Sequence, residues 1–211
     1  MKSPKDIVKE GYDKLSSDYR KHYEASHRDQ YMIWLNDLMV LIPARSNVLE
    51  LGCGDGIPIA SVMSNEYKYV GVDISPVQIQ HAISNVPSAT FVVSDMTDLV
   101  LDANSFQCVI ALYSIIHVPI AEQEELINRI FQWLHVDGYC LCTVGVSAWT
   151  GTDENWIQPQ TKMYWSHADS EQYERWFNKT GFTIQRKQFI AEENTGHMLF
   201  LLKKSRDTPK I

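Results

Sequence analysis

The stretch Asn47-Val48-Leu49-Glu50-Leu51-Gly52-Cys53-Gly54-Asp55-Gly56 restricts what this chain can fold into more than any other. Asn47 to Leu51 is an apolar run of strand length, the glycines form a turn, and Ile57 to Met63 opens a helix. Glycine lets the backbone close on a ligand where a side chain would hold it off, and a strand, glycine turn and helix in succession open a nucleotide-binding α/β unit. Dinucleotide sites place a third glycine three residues after the second. Here Ile57 holds that position and the third glycine comes early, at Gly56, which favours a nucleoside without phosphates.

The pattern then alternates. Tyr67 to Ile74, Ala89 to Ser94, Phe106 to Ser114 and Tyr139 to Val146 are apolar strand-like runs. Between them Ser75 is a cap with Pro76 in the first helical position, and Glu122 to Leu134 carries Leu126, Ile127, Ile130, Phe131 and Leu134 on one face. Asp137-Gly138 reads as a turn. Ser166-His167-Ala168-Asp169 reads as a capping box for a helix that carries Tyr173, Trp176 and Phe177 and stops at Gly181. Phe182 to Ile190 and His197 to Lys203, joined by a polar turn from Glu192 to Gly196, read as a hairpin, and the tail from Lys204 to Ile211 as frayed. Ahead of the first strand, two amphipathic helices are expected, Ile7 to about Ala25 and Asp29 to Leu41, the second ending before Pro43.

Glu50-Leu51-Gly52-Cys53-Gly54-Asp55-Gly56 resembles the first motif of the class I S-adenosylmethionine-dependent methyltransferases. The resemblance implies an α/β, Rossmann-like fold: a seven-stranded, mostly parallel sheet with a C-terminal antiparallel hairpin and helices on both faces. It also implies S-adenosyl-L-methionine as methyl donor, with S-adenosyl-L-homocysteine as product. Asp73 ends the second strand about twenty residues beyond the glycine turn, where nucleoside sites put a carboxylate for the vicinal hydroxyls of a ribose. A carboxylate in the turn before the next helix has the same sequence appearance. In the family an acidic residue after the third strand meets the adenine amino group, which implies that role for Asp95, with Met96 against the ring. A family helix bearing Tyr-Asp, here Tyr12-Asp13, lies over the donor, so Tyr12 and Tyr19 either close over it or pack on the sheet edge. Glu50, Gly52, Cys53, Gly54, Ile74, Gln78 and Leu112 complete the expected donor site.

At 211 residues the chain fits a single domain, 1–211, with a helical cap over 1–45 and an aromatic-rich lid or pocket segment over 147–167. Its net charge of -7 argues against a dedicated nucleic-acid binder. The amino terminus lacks the apolar core of a signal peptide, and no apolar run approaches the length of a membrane span. Cys53, Cys108, Cys140 and Cys142 have no metal-type spacing. The expectation is a cytoplasmic protein with free thiols, no metal, no membrane and no nucleic-acid partner.

The acceptor should be met beyond the carboxyl ends of the strands. The exit of the fourth strand, Tyr113-Ser114-Ile115-Ile116-His117-Val118-Pro119, lacks the Asn/Asp-Pro-Pro-aromatic sequence of enzymes that methylate amino groups of bases, which favours a small-molecule acceptor. Trp149, Trp156, Met163, Tyr164 and Trp165 crowd a stretch without clear period, suited to an acceptor wall or to covering the sheet edge. Tyr113, Trp149, Tyr164 and Trp165 are the candidate acceptor contacts. An acceptor oxygen from a phenol, hydroxyl or carboxylic acid is favoured, with nitrogen and sulfur acceptors open, and a base would assist an oxygen acceptor. His117 is best placed, as base or as a ring capping its turn; His167 follows the aromatic run, whereas His197 is expected farther away and His22 and His27 stand out in no way. The rival readings are a repurposed or non-catalytic donor-binding protein, such as a cyclising enzyme, a nicotinamide-dependent oxidoreductase, and a protein or RNA methyltransferase.

Overall fold

The computed structural model describes the backbone of residues 2–192 and 195–205 and, within these, the side chains of all but residues 16–28. Seven strands form one sheet: β1 (Asn47–Leu51), β2 (Lys68–Asp73), β3 (Thr90–Val93), β4 (Phe106–Ala111), β5 (Leu134–Gly145), β8 (Phe182–Ala191) and β9 (Gly196–Lys204). Their order is β3-β2-β1-β4-β5-β9-β8. The first five pair in parallel, while β9 runs antiparallel to both β5 and β8. The Rossmann-like arrangement implied by the glycine motif is the one observed. The order reverses at β1 and β4, which opens a crevice beyond their carboxyl ends.

Each parallel strand alternates its side chains between two cores. Leu49, Leu51, Val109 and Ala111 meet Leu126, Ile127 and Ile130 of α4 (Ile120–Trp133) and Tyr173 and Phe177 of α5 (Ser170–Thr180). On the opposite face Val48, Cys108 and Ile110 meet Ile59, Ala60 and Met63 of α2 (Ile59–Met63). Trp34, Leu35 and Leu38 of α1 (Pro4–Met39) pack into the same cluster. Burial on both faces explains why these strands read as continuous apolar runs.

The two amino-terminal helices are one. Helix α1 runs from Pro4 to Met39, and no glycine or proline interrupts it between Ala25 and Asp29. Its start is a capping box in which Ser3 accepts from the Asp6 N–H and the Asp6 carboxylate accepts from the Ser3 N–H. Residues 147–167 also differ from the expectation. Thr150, Thr152, Tyr164 and Trp165 suit a pleated surface, and β6 (Trp149–Asp153) pairs with β7 (Met163–His167) as a separate antiparallel hairpin. Val8 and Leu15 of α1 pack on Trp156 and Met163 of this hairpin region. The amino-terminal part of α1 is thus held over the crevice, while its carboxyl-terminal part lies on the sheet.

Two smaller corrections concern local signals. Helix α5 is capped by Asp169, whose side chain accepts from the Gln172 N–H. Ser166 and His167 belong to β7, and the Ser166 hydroxyl accepts from the Ile120 N–H, so it caps α4 instead. The Asp137-Gly138 turn is taken up inside β5 as an irregularity in its pairing with β4. Among the described residues no helix is long and apolar enough to cross a membrane.

Gly52 follows β1 in the left-handed region, with φ +79°, and its N–H donates to the Val72 carbonyl at 2.7 Å. A Cβ there would stand 2.4 Å from Ser114 Cβ. Strain and overpacking combine at this junction, so Gly52→Ala is expected to lower stability by about 2–3 kcal/mol in urea unfolding. An unchanged midpoint would show that the β1 and β4 exits have room to separate.

Candidate functional site

The crevice is lined from the glycine turn, the ends of β2 and β4, the loop after β3, α1, the β6–β7 hairpin region and the β8–β9 connection. Gly54, with φ +53°, lies on its floor. A Cβ on Gly54 would meet nothing nearer than the Gln78 side-chain oxygen at 3.9 Å, so it would project into open space. Gly52 is required by its protein neighbour, whereas Gly54 leaves a face bare for something else.

Asp73 closes this end. Its Oδ2 accepts from the Gly54 N–H and its Oδ1 from the Ser75 N–H, both at 2.9 Å. Burial pushes the carboxyl up to about 6 despite those two donors. Each oxygen keeps a second lone pair for an outside donor. The Ser75 hydroxyl accepts from the Gln78 N–H and caps α3 (Pro76–Asn85), as its sequence position implied, and it donates to Asp13 of α1 at 2.6 Å. Gln78 itself does not line the crevice; its amide nitrogen reaches the Tyr12 carbonyl at 3.5 Å. Glu50 lies at the crevice wall, buried, and accepts from the Tyr69 hydroxyl, which burial and Glu50 itself keep protonated. Cys53 is buried, and that burial pushes its thiol up.

Ile74, Asp95, Met96 and Leu112 also line the crevice. Asp95 is already engaged: Oδ2 pairs with Lys5 Nζ at 2.7 Å, and Oδ1 accepts from the Thr97 N–H and hydroxyl. Burial opposes its charge, but Lys5 and Thr97 hold the carboxyl below the usual range. Lys5 also binds Glu122, and it had no sequence signal to distinguish it from any other helix-start lysine. Ser114, between β4 and the 3₁₀ turn Ile115–His117, is buried in the crevice wall, and among the described residues its hydroxyl has no hydrogen-bond partner.

His117 and Tyr12 meet at the roof. His117 Nδ1 lies 2.8 Å from the Tyr164 carbonyl, which can only accept, so that nitrogen carries the proton. Nε2 then accepts from the Tyr12 hydroxyl at 3.0 Å. Burial pushes the imidazole down to about 4, and it is neutral at pH 7. The Trp165 ring lies 4.3 Å from that of His117, and Trp156 packs edge-on to Tyr12.

The side chains of three further expected site residues do not line the crevice. His167 points away from the crevice, with Nδ1 at 2.6 Å from the Ser147 carbonyl, because alternation in β7 sends it to the face opposite Ser166. Trp149, its partner across the hairpin, is half exposed on that same outer side. Tyr164 contributes its carbonyl, not its ring. The Tyr19 side chain lies outside the described residues, as do those of His22 and His27. Tyr113 and Trp165 do line the crevice. So does His197, contrary to expectation, together with Glu192. An antiparallel β9 must begin where the parallel strands end, and that topological fact is the signal that would have placed His197.

A doubly wound sheet with an open glycine turn, a carboxylate ending β2 and a crevice at the strand switch form a Rossmann-like arrangement suited to a nucleoside ligand. Residues 48–138 match the sequence profile of the family described as "Methyltransferase domain". Among characterised proteins the chain is similar to phosphoethanolamine N-methyltransferase 3 of Arabidopsis thaliana, 29% identical over 177 residues. That match takes in 81% of this chain but only 34% of the plant protein's length. Among solved structures it resembles magnesium protoporphyrin IX methyltransferase from Synechocystis PCC 6803, solved with bound S-adenosylmethionine (TM-score 0.72, 18% identity, 96% of this chain and 98% of that one). It also resembles the 4+2 cyclase SpnF (TM-score 0.67, 17% identity, 84% and 80%). At these identities the two structures speak for the fold alone.

Proposed function

We propose that this chain transfers a methyl group from S-adenosylmethionine to a small-molecule acceptor. The single observation that carries the reading is the Gly54–Asp73 pair: a bare glycine face beside a buried carboxylate with lone pairs to spare. The side chains present fit the donor. Asp73 would hold the ribose hydroxyls, and Met96, Ile74 and Leu112 offer apolar walls for the adenine and its linker. The unpartnered Ser114 hydroxyl would meet a polar group near the strand switch. For Asp95 to meet an adenine amino group, its Lys5 pair must shift or be shared.

The donor brings its own activated methyl, so the chain's task is to orient an acceptor and exclude water. Tyr12, His117, Trp156 and Trp165 form the roof that does this. His117, neutral and already accepting from Tyr12, serves best as the residue that holds Tyr12 in place. An oxygen acceptor fits the proximity of these groups; a nitrogen acceptor is supported by the name of the plant relative. A small acceptor is supported by the absence of the Pro-Pro-aromatic sequence at the β4 exit.

Calorimetric titration with S-adenosylmethionine, followed by a search for labelled methyl products over a panel of phenols, carboxylic acids and amines, tests the proposal. Donor binding with transfer to a panel member is the expected result. Donor binding with no product from any class would favour a repurposed member, and no donor binding would end the reading.

A further inference from the structure

The crevice contains a second polar pair that the donor site does not use. Glu192 follows the end of β8 and His197 lies near the start of β9, opposite Gly145 of β5, which brings both to the carboxyl-terminal end of the parallel strands. They stand on the β4-β5-β9 half of the sheet, away from the β1-β2-β3 half that carries Asp73 and Asp95. The donor end is therefore at one side of the switch and this pair is at the acceptor side. His197 Nδ1 lies 2.8 Å from Glu192 Oε1, so the ring donates there. Among the described residues neither the second carboxylate oxygen nor His197 Nε2 has a protein partner, and both residues keep some exposure to the crevice.

The walls around the pair are aromatic. Tyr113, held at φ +54°, sets its ring edge-on to His197 at 5.1 Å, and Tyr31 of α1 lies 6.0 Å from Tyr113. Charge narrows the choice of guest. Among the described residues lining the crevice, Lys5 is the lone lysine or arginine, and Asp95, Glu122 and Thr97 already hold its ammonium. A phosphate or carboxylate at the acceptor end would meet Glu192 and no free cation. An ammonium would meet a carboxylate in an aromatic setting, where both the charge pair and the ring faces favour a cation.

We propose that Glu192 and His197 form the acceptor subsite, and that it takes an amine carried on an apolar or aromatic body without a phosphate or carboxylate. The inference rests on the methyltransferase reading for what happens next to that amine. Glu192 holds the ammonium. One proton passes from its nitrogen to His197 Nε2, which leaves the amine neutral with a free lone pair, and the imidazolium so formed is stabilised by Glu192 beneath it. No redox partner is needed, and charge is conserved in the step.

The full chain, saturated with S-adenosylhomocysteine, is titrated with benzylamine, benzyl alcohol, benzoate and phosphoethanolamine, read by calorimetry and by the NMR signals of the His197 ring. Benzylamine should bind at least tenfold more tightly than benzyl alcohol and than either anionic compound, and should move the His197 signals. Glu192→Gln should cost benzylamine about tenfold and leave benzyl alcohol within twofold, with unchanged thermal unfolding. Equal affinity for amine and alcohol, preference for an anion, no benzylamine binding, or an amine affinity indifferent to Glu192→Gln would each overturn the proposal. The His197 response in the unaltered chain decides the matter should the variant fold poorly. Running the series again without S-adenosylhomocysteine separates the two readings. If the product fails to bind but a Glu192-dependent preference for the amine persists, the subsite stands and the methyltransferase reading falls; if the product binds and the preference is absent, the reverse holds.

Discussion

Asp73→Asn should weaken S-adenosylmethionine binding about 100-fold while the chain remains folded. The carboxylate ends β2 beside the glycine turn, and its two oxygens each accept one backbone N–H, from Gly54 and from Ser75. Their remaining lone pairs face the crevice, where a vicinal diol would donate to them. Charge-assisted hydrogen bonds contribute roughly 1.5–3 kcal/mol each, so loss of two with partial compensation corresponds to about 2.7 kcal/mol. Asparagine keeps the shape but presents an amide N–H₂ where an acceptor is needed. Calorimetry of the variant reads the affinity, and thermal unfolding reads the fold separately. Donor affinity within threefold of the parent would remove Asp73 from the ribose role.

The same carboxyl implies a pH dependence. In the ligand-free protein burial raises Asp73 to about 6. Hydroxyl donors favour the ionised form, so a bound ribose lowers that value and binding releases a proton near it. Affinity is then fully present above pH 6 and falls, by up to tenfold per unit, as the pH drops below it. In Asp73→Asn this slope should vanish.

The second large effect is expected at the roof. His117→Ala should lower turnover about 100-fold and change donor affinity by less than about threefold, because His117 touches Tyr12 and Tyr164 rather than the donor end. The magnitude follows from misplacement of the acceptor and entry of water once Tyr12 loses its anchor. Tyr12→Phe removes the other half of the same contact. If the pair acts as a unit, the double variant will be no slower than the worse single one. His117 is neutral far below pH 7, since burial holds it to about 4. The rate should therefore show no inflection from His117 between pH 6 and 8. Parent-like turnover in His117→Ala would reduce the residue to a prop for its own turn.

The fold was legible because its determinants are local. Strands buried on both faces must be apolar throughout, and the glycine turn admits few sequences, so β1, β2, β4 and the turn could be read from Asn47 to Ser114 directly. That Gly54 and Asp73 would meet was legible for a related reason: they lie at fixed offsets from strand ends, and strand ends share one edge of a parallel sheet. Helix α1 was misread as two because the apolar pattern lapses after Ala25 and Asp29 resembles a cap, which it does equally well inside a helix.

What only the tertiary structure decided is which side chains reach the crevice from the far side of the strand switch. His167 and His197 look alike in sequence, each beside an aromatic or strand-like run. Pairing of β6 with β7 turns His167 outward, while the antiparallel course of β9 carries His197 back to the crevice. Likewise Tyr12 and His117, 105 positions apart, meet through a bond that no spacing rule describes. Sequence by itself determined the sheet and the glycine turn with its carboxylate, because each is set by neighbours along the chain. Which side chains face that cradle from the far side depended on strand direction and pairing, which are properties of the assembled sheet.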